Sequence, residues 1–200
     1  MRALAREIDA AMRDRWTVDD ATRFAAALMR DPYLETKSVG IEVLARYRRW
    51  FEPALLREIR RWLSANLSSN WATTDAICGM LIGPLLADHP EALPRLRAWA
   101  NGRNLWVRRA SIVSLIVPMR RGHALDQTYE TAQALHAHRE DLIQKAVGWA
   151  LREAGKPDMP RLERYLRAHG SAIPRTTLRY AIERFPESKR RALLAATRSQ

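Results

Sequence analysis

Polar and aromatic side chains recur along this chain at a nearly constant interval. Four polar residues stand 34 or 35 residues apart, namely Asp75, Arg109, Gln144 and Arg179. Guanidinium groups bind phosphates, and the nearby Trp71, Trp106 and Trp149 could stack on bases, so a surface of this composition fits a nucleic acid. One carboxylate within such a surface could take part in a reaction. Because the solvated face of any helical repeat also shows polar residues at equal offsets, the spacing leaves both interpretations open.

Helices are the elements that would position these residues. Apolar residues recur at intervals of three and four, as in residues 55–63, and no sustained alternation of the β type occurs. Asn70 and Asn104 are predicted N-caps, and Pro84 is predicted to kink or end its helix. The pattern predicts long helices near residues 33–49, 70–87, 104–120, 139–154 and 174–185, each followed by a shorter helix.

The starts of the long helices predict a repeat. Because they recur every 34 to 37 residues, we expect an all-α fold, a HEAT-like helical-repeat solenoid. An irregular helical bundle is the alternative. We expect one domain over residues 1–200, in which residues 1–32 form divergent N-terminal helices and residues 33–200 form five helix pairs.

The charge is concentrated in the second half of the chain. Of 34 basic and 22 acidic residues, 19 basic and 9 acidic ones fall within residues 101–200. Nearly all the basic residues are arginines, whose planar groups suit phosphate. The excess therefore predicts a basic concave face and a polyanionic partner, although a solvated face would also carry it. A hydrophobic content of 47% is enough for a core and argues against disorder.

Several other classes of protein and site are disfavoured. The longest apolar run, residues 76–87, is far shorter than the roughly 20 residues that span a bilayer, so we expect a cytoplasmic protein. The lone Cys78 excludes a disulfide framework and predicts a buried, inert thiol. His136 and His138 point in nearly opposite directions on a helix, so a metal site is not expected.

Four segments resemble a known family. They read NWATTDAICGMLIGPLL (70–86), NLWVRRASIVSLI (104–116), DLIQKAVGWALREAGKPD (141–158) and AIPRTTLRYAIERFPESKR (172–190). In this order and spacing they resemble the AlkD-type bacterial DNA alkylation repair proteins, over residues 31–195. That resemblance implies a HEAT-like DNA glycosylase that hydrolyses the N-glycosidic bond of N3- or N7-alkylated purines in double-stranded DNA. It also implies that the base is not drawn into a deep pocket, unlike in most glycosylases.

The resemblance also implies roles for particular residues. Asp75 corresponds to the family's catalytic aspartate, and Trp71 and Trp149 to its lesion-facing tryptophans. Arg109 corresponds to the arginine of a W-x-x-R segment and would hold a flanking phosphate. Further candidate contacts to the DNA backbone are Arg108, Lys145, Arg152, Arg175 and Arg179. No cofactor or metal is implied, and we expect a monomer located at the nucleoid.

Each of these roles has a structural competitor. Trp71 and Trp149 could be core aromatics, Asp75 could be a structural residue near an N-cap, and Arg109 could pair with a neighbouring carboxylate. Trp106 is assigned to packing or to the support of Arg109. The first 30 residues lack the Gly/Pro/Arg-bearing segment of the family, which bears on catalysis more than on DNA binding. The alternatives are a non-catalytic DNA-structure-binding relative and a protein-interaction scaffold.

Overall fold

The computed structural model describes residues 1–197, and these residues fold into helices without a strand. The α-helices are α1 (Arg2–Met12), α2 (Val18–Leu28), α3 (Leu34–Leu44), α4 (Leu55–Ser64), α5 (Trp71–Ile77), α6 (Gly83–Asp88), α7 (Arg97–Ala100), α8 (Leu105–Val113), α9 (Ile116–Arg120), α10 (Leu125–Leu135), α11 (Asp141–Ala154), α12 (Met159–His169), α13 (Arg175–Ala181) and α14 (Glu187–Ala196). Short 3₁₀ helices span Ala45–Trp50, Pro90–Leu96 and Gly170–Ala172, and a π turn spans Cys78–Ile82. The predicted all-α class is confirmed.

The helices repeat as predicted. Five of them, α3, α5, α8, α11 and α13, pack side by side in chain order and form what we call the first-helix row. Helices of the second row alternate with them, and α10, for example, contacts α7, α8 and α11. The first-helix row begins at residues 34, 71, 105, 141 and 175, within two residues of each predicted start. The chain is therefore a helical-repeat protein.

Capping side chains fix where two of these helices begin. The Asn70 side chain accepts a hydrogen bond from the Thr73 amide at 2.8 Å. The Asn104 side chain accepts from the amides of Trp106 and Val107 at 2.9 and 3.2 Å. An Asn cap of this kind satisfies backbone amides that the first helical turn leaves free. Both predicted caps are thus confirmed.

The predicted helix 70–87 is interrupted earlier than its proline. The Gly83 amide donates to the Cys78 carbonyl, five residues back, so Cys78–Ile82 forms a π turn and α6 begins at Gly83. Pro84 lies in the first turn of α6, where its missing amide proton costs nothing. A side chain on Gly83 would collide with Val117, because a Cβ there would lie 2.7 Å from a Val117 methyl carbon.

One contiguous hydrophobic core runs through the repeats, from Ala5 to Leu193. Cys78 is fully buried in it, as predicted, and burial raises the pKa of its thiol to about 12. The N-terminal helices α1 and α2 both pack on α3 and so extend the row. None of the helices formed by residues 1–197 is long and apolar enough to cross a membrane.

Candidate nucleic-acid interface

Four helices of the first-helix row, α5, α8, α11 and α13, border one open cleft of about 470 Å³. Its lining residues are Trp71, Asp75, Arg109, Leu142, Lys145, Trp149, Arg152 and Tyr180. Six of these were predicted site residues, and the fold brings them together from segments far apart in sequence. Leu142 and Tyr180 were not predicted. Arg108, Arg175 and Arg179 were predicted but do not line the cleft.

At the centre of the cleft, Arg109 holds Asp75 through two parallel hydrogen bonds. Its Nε and Nη2 donate to Oδ1 and Oδ2, both at 2.8 Å. The remaining Nη1 donates to the Leu142 carbonyl on α11. The Arg109 side chain is 6% exposed and that of Asp75 is 17% exposed. The guanidinium therefore donates to the Asp75 carboxylate and to α11, and it has no free pair of N–H groups to offer a phosphate. This is the alternative in which Arg109 pairs with a neighbouring carboxylate.

Asp75 itself remains open on one side. Each of its carboxylate oxygens accepts one hydrogen bond from Arg109, and an oxygen of this kind can accept about two. The side chain is partly exposed and lines the cleft. A carboxylate fixed in orientation with unused acceptor capacity can face a positive charge or a water molecule.

The aromatic residues of the site differ in how they are held. Trp149 is half-buried and packs against the core, as does Trp106, which fits the packing role predicted for the latter. Trp71 is 57% exposed and Tyr180 38% exposed, and neither belongs to the core or to the side chains packed on it. The alternative interpretation of Trp71 as a core aromatic is therefore wrong. Packing does not account for Trp71 or Tyr180.

Two further cations that line the cleft each pair with an acidic residue. Lys145 Nζ lies 2.7 Å from Asp141 Oδ2, and this hydrogen bond and the charge of Asp141 raise the pKa of Lys145. Arg152 pairs with Glu183, whose side chain is 58% exposed. Both partners are on the surface, so a phosphate could replace them at small cost.

The other three predicted arginines lie elsewhere. Arg108 is buried: its Nη1 donates to the carbonyls of Gly102 and Arg103 at 2.9 and 2.7 Å, and its Nη2 pairs with Glu140. This placement gives Arg108 a role in joining successive repeats and does not support a phosphate contact. Arg175 is exposed and donates to the Leu194 carbonyl at 3.0 Å. Arg179 is exposed on α13, next to Tyr180.

A tightly bonded loop, residues 66–70, sets the position of α5 and hence of Trp71 and Asp75. Asn66 and Ser69 adopt left-handed backbone angles, with φ of 58° and 53°. From the preceding repeat, the buried Lys37 donates through Nζ to the Leu67 carbonyl at 2.6 Å. From the following repeat, Asn104 donates to the Asn66 side chain at 2.9 Å. Three repeats therefore meet where α5 begins. Nothing in the local sequence around Lys37 signals this role.

The fold and the site together define a class: a helical-repeat protein that gathers an aspartate–arginine pair, aromatic side chains and further cations around one open cleft. The family model described as DNA alkylation repair enzyme matches residues 1–185, and the chain belongs to this family. The match includes the N-terminal helices. No curated protein matches the chain. Family membership gives the protein an enzymatic role in the repair of alkylated DNA, with DNA as its partner.

Proposed function

We propose that this protein is a monofunctional DNA glycosylase that hydrolyses the N-glycosidic bond of N3- or N7-alkylated purines in duplex DNA. The observation that carries the proposal is the arrangement at Asp75. Its carboxylate is held by Arg109, opens onto a cleft, and shares that cleft with Trp71 and Trp149.

A fixed carboxylate suits the hydrolysis of this glycosidic bond. Alkylation at N3 or N7 places a positive charge on the purine and makes it a better leaving group. When the bond between C1′ and the purine nitrogen breaks, its electron pair neutralises the purine and the positive charge moves to the sugar. A preorganised carboxylate stabilises such an oxocarbenium-like ion more strongly than water does. Asp75 takes this role and can orient the water that attacks C1′, whose proton passes to the solvent.

Arg109 acts as the positioning residue of this carboxylate. A bidentate guanidinium restricts both the distance and the plane of Asp75, which a single hydrogen bond would not do. Its third bond, to Leu142, ties the pair to the helix that carries Trp149. The catalytic carboxylate and one aromatic wall are thereby fixed to each other.

The aromatic residues contact the damaged base from within the open cleft. A cation close to a tryptophan face gains about 0.5–2 kcal/mol per ring. Trp71 is more than half exposed, and the cleft opens between four helices instead of forming a closed pocket. Lys145, Arg152, Arg175 and Arg179 are the proposed contacts to the DNA backbone, and Arg108 is left out because it is buried.

An abasic site is the expected product. Lys145 is the lysine that lines the cleft, and its pairing with Asp141 favours the ammonium form. An ammonium group has no lone pair with which to attack C1′ and form an imine, so strand cleavage by a lyase step is not expected.

Release of the base from DNA is the deciding experiment. Purified protein incubated with a duplex containing one N7-methylguanine is expected to liberate the free base, and Asp75→Asn is expected to lower the single-turnover rate at least about 100-fold. Asp88→Asn is the matched control, since Asp88 pairs with Arg121 outside the cleft.

Other outcomes would overturn the proposal. Salt-dependent binding to the duplex without base release would identify a non-catalytic DNA-binding relative. Absence of DNA binding would indicate a protein-interaction scaffold. Unchanged release by Asp75→Asn would refute the role of the carboxylate.

A further inference from the structure

The ring of Tyr180 has no structural task that the fold reveals. It lies on α13, whose buried residues are Thr177, Leu178 and Ala181, and it is not among the side chains packed on the core. The side chain is 38% exposed, and among residues 1–197 no hydrogen bond ties down its hydroxyl. Yet it lines the same cleft as Asp75 and the two tryptophans.

The backbone brings Tyr180 unusually close to α11. A Cβ placed on Gly148 would lie 2.5 Å from the Cβ of Tyr180 and 2.7 Å from the Thr177 carbonyl oxygen, so only glycine fits there. Thr177 Oγ1 donates to the Gln144 carbonyl at 2.9 Å and fastens the two helices at the same level. Gly148 precedes Trp149 in sequence. The close approach therefore fixes α13 at Tyr180 against α11, one residue before Trp149, and both side chains line the cleft.

The resulting site has a recognisable composition. Three aromatic side chains, Trp71, Trp149 and Tyr180, surround a cleft that holds one carboxylate. Aromatic rings together with an anion are how proteins bind cations that have no N–H to donate, such as quaternary ammonium groups. A ring alone stacks on any base, because every base has a π face. What the combination adds is preference for a base that carries a positive charge.

We propose that Tyr180 is a specificity-determining residue, the third aromatic wall of a site that selects positively charged nucleobases over neutral ones. This inference rests on the proposed function and adds to the same cleft one further residue that sets its preference for a charged base. The ring of Tyr180 supplies the preference, and its hydroxyl is not required.

The test measures binding and excision separately. The probe is a duplex with a single 2′-fluoro N7-methylguanosine, whose glycosidic bond resists hydrolysis, compared with the same duplex carrying unmodified guanine. The selectivity is the ratio of the two dissociation constants. Tyr180→Leu is expected to lower it about two- to fivefold, which is the range for one exposed cation–π contact, and Tyr180→Phe to leave it unchanged.

Controls separate this role from general DNA binding and from folding. Tyr33→Leu removes another exposed tyrosine, 69% exposed and outside the cleft, and is expected to leave the selectivity unchanged. Both leucine variants should melt near the wild-type temperature, because neither side chain is buried. Unchanged selectivity in Tyr180→Leu, an equal loss in Tyr180→Phe, or no preference in the wild type would each overturn the inference. Excision of unfluorinated N7-methylguanine decides the proposed function independently.

Discussion

Two carboxylates of the first-helix row, Asp75 on α5 and Glu153 on α11, are each held by an arginine from another helix. Arg109 holds Asp75 through both oxygens. Glu153 accepts from Arg120 at 2.8 and 3.2 Å and from Lys156 at 2.5 Å, all on one oxygen. The Glu153 side chain is 3% exposed against 17% for Asp75. Burial alone would raise the pKa of Glu153, but the hydrogen bonds from Lys156 and Arg120 outweigh it and lower the pKa.

The difference shows that an ion pair does not by itself mark a reactive carboxylate. Glu153 is surrounded by two cations and the core, so its negative charge is neutralised within the fold. Asp75 has one cation behind it and an open cleft with aromatic walls in front of it. The surroundings of each carboxylate on the side away from its arginine decide its role, and this can be tested by substitutions at the two pairs.

Replacement of the two arginines by lysine should have the most unequal effect. Lysine offers a point charge in place of a planar fork, so Arg109→Lys frees Asp75 to rotate, and base release is expected to fall about 10- to 100-fold. Arg120→Lys makes the same change at Glu153 and should leave release within about twofold. Single-turnover release of N7-methylguanine measures both. Equal losses in the two variants would show that the pairs contribute to folding alone.

Acid should destabilise the protein through a buried histidine in its interior. His136 is buried and lies 2.7 Å from the Tyr165 hydroxyl, and burial, followed by the charge of His169, lowers its pKa from 6.5 to about 4. Because the unfolded chain takes up this proton at higher pH than the folded one, stability is full above pH 6.5 and declines as the pH falls towards 4. The total loss is about 3 kcal/mol.

Urea unfolding between pH 7 and pH 4 measures this effect, with His136→Gln as the comparison. The variant is expected to show a shallower decline over the same range. A decline of the same steepness in both proteins would assign the acid sensitivity to other groups, Glu153 among them.

Glu153→Gln should weaken the fold and spare the chemistry. It leaves Arg120 and Lys156 without a partner charge, but their side chains are 56% and 38% exposed and can be hydrated. We therefore expect a loss of about 1–3 kcal/mol in the free energy of unfolding, measured in urea. Base release per folded molecule should stay at the wild-type rate. A large loss of release at unchanged stability would contradict the contrast with Asp75.

The smallest expected effect is on the salt dependence of binding to the DNA backbone. Arg179→Ala on α13 should lower the slope of log K against log salt concentration by about 0.9, which corresponds to one phosphate contact. Arg164→Ala removes another exposed arginine, from α12 in the second row, and should leave the slope unchanged. Fluorescence anisotropy with an unmodified duplex measures both. Equal slopes for the two variants would place the DNA on a different face.

Local signals explain what the sequence could predict. The starts of the first-helix row follow from caps and prolines that act within a few residues, as Asn70 and Asn104 do. The equal offsets of Asp75 and Arg109 in neighbouring repeats became a direct contact, because adjacent helices place equal positions side by side. These features need no knowledge of distant parts of the chain.

Long-range packing explains what it could not predict. Arg108 and Arg109 are neighbours in sequence, yet their burial depends on Glu140 and Asp75, each more than 30 residues away. The π turn before Pro84 and the break of the predicted helix 104–120 after Val113 depend on how the repeats meet. Tyr180 was missed because its exposure is visible only once α13 is placed on α11.

The π turn at Cys78–Ile82 has a consequence for how the site relates to the core. It accommodates one residue more than an α-helical turn, and each residue of an α-helix turns the chain by about 100°. The α5 segment Trp71–Ile77 and the α6 segment Gly83–Asp88 form one continuous helix, but the extra residue rotates the side chains of one segment relative to those of the other. Removal of a single residue there, such as the exposed Gly79, would swing Asp75 about a quarter turn away from Arg109 while α6 kept its buried face. Reactivity at this site therefore depends on chain length at a position that carries no reactive group.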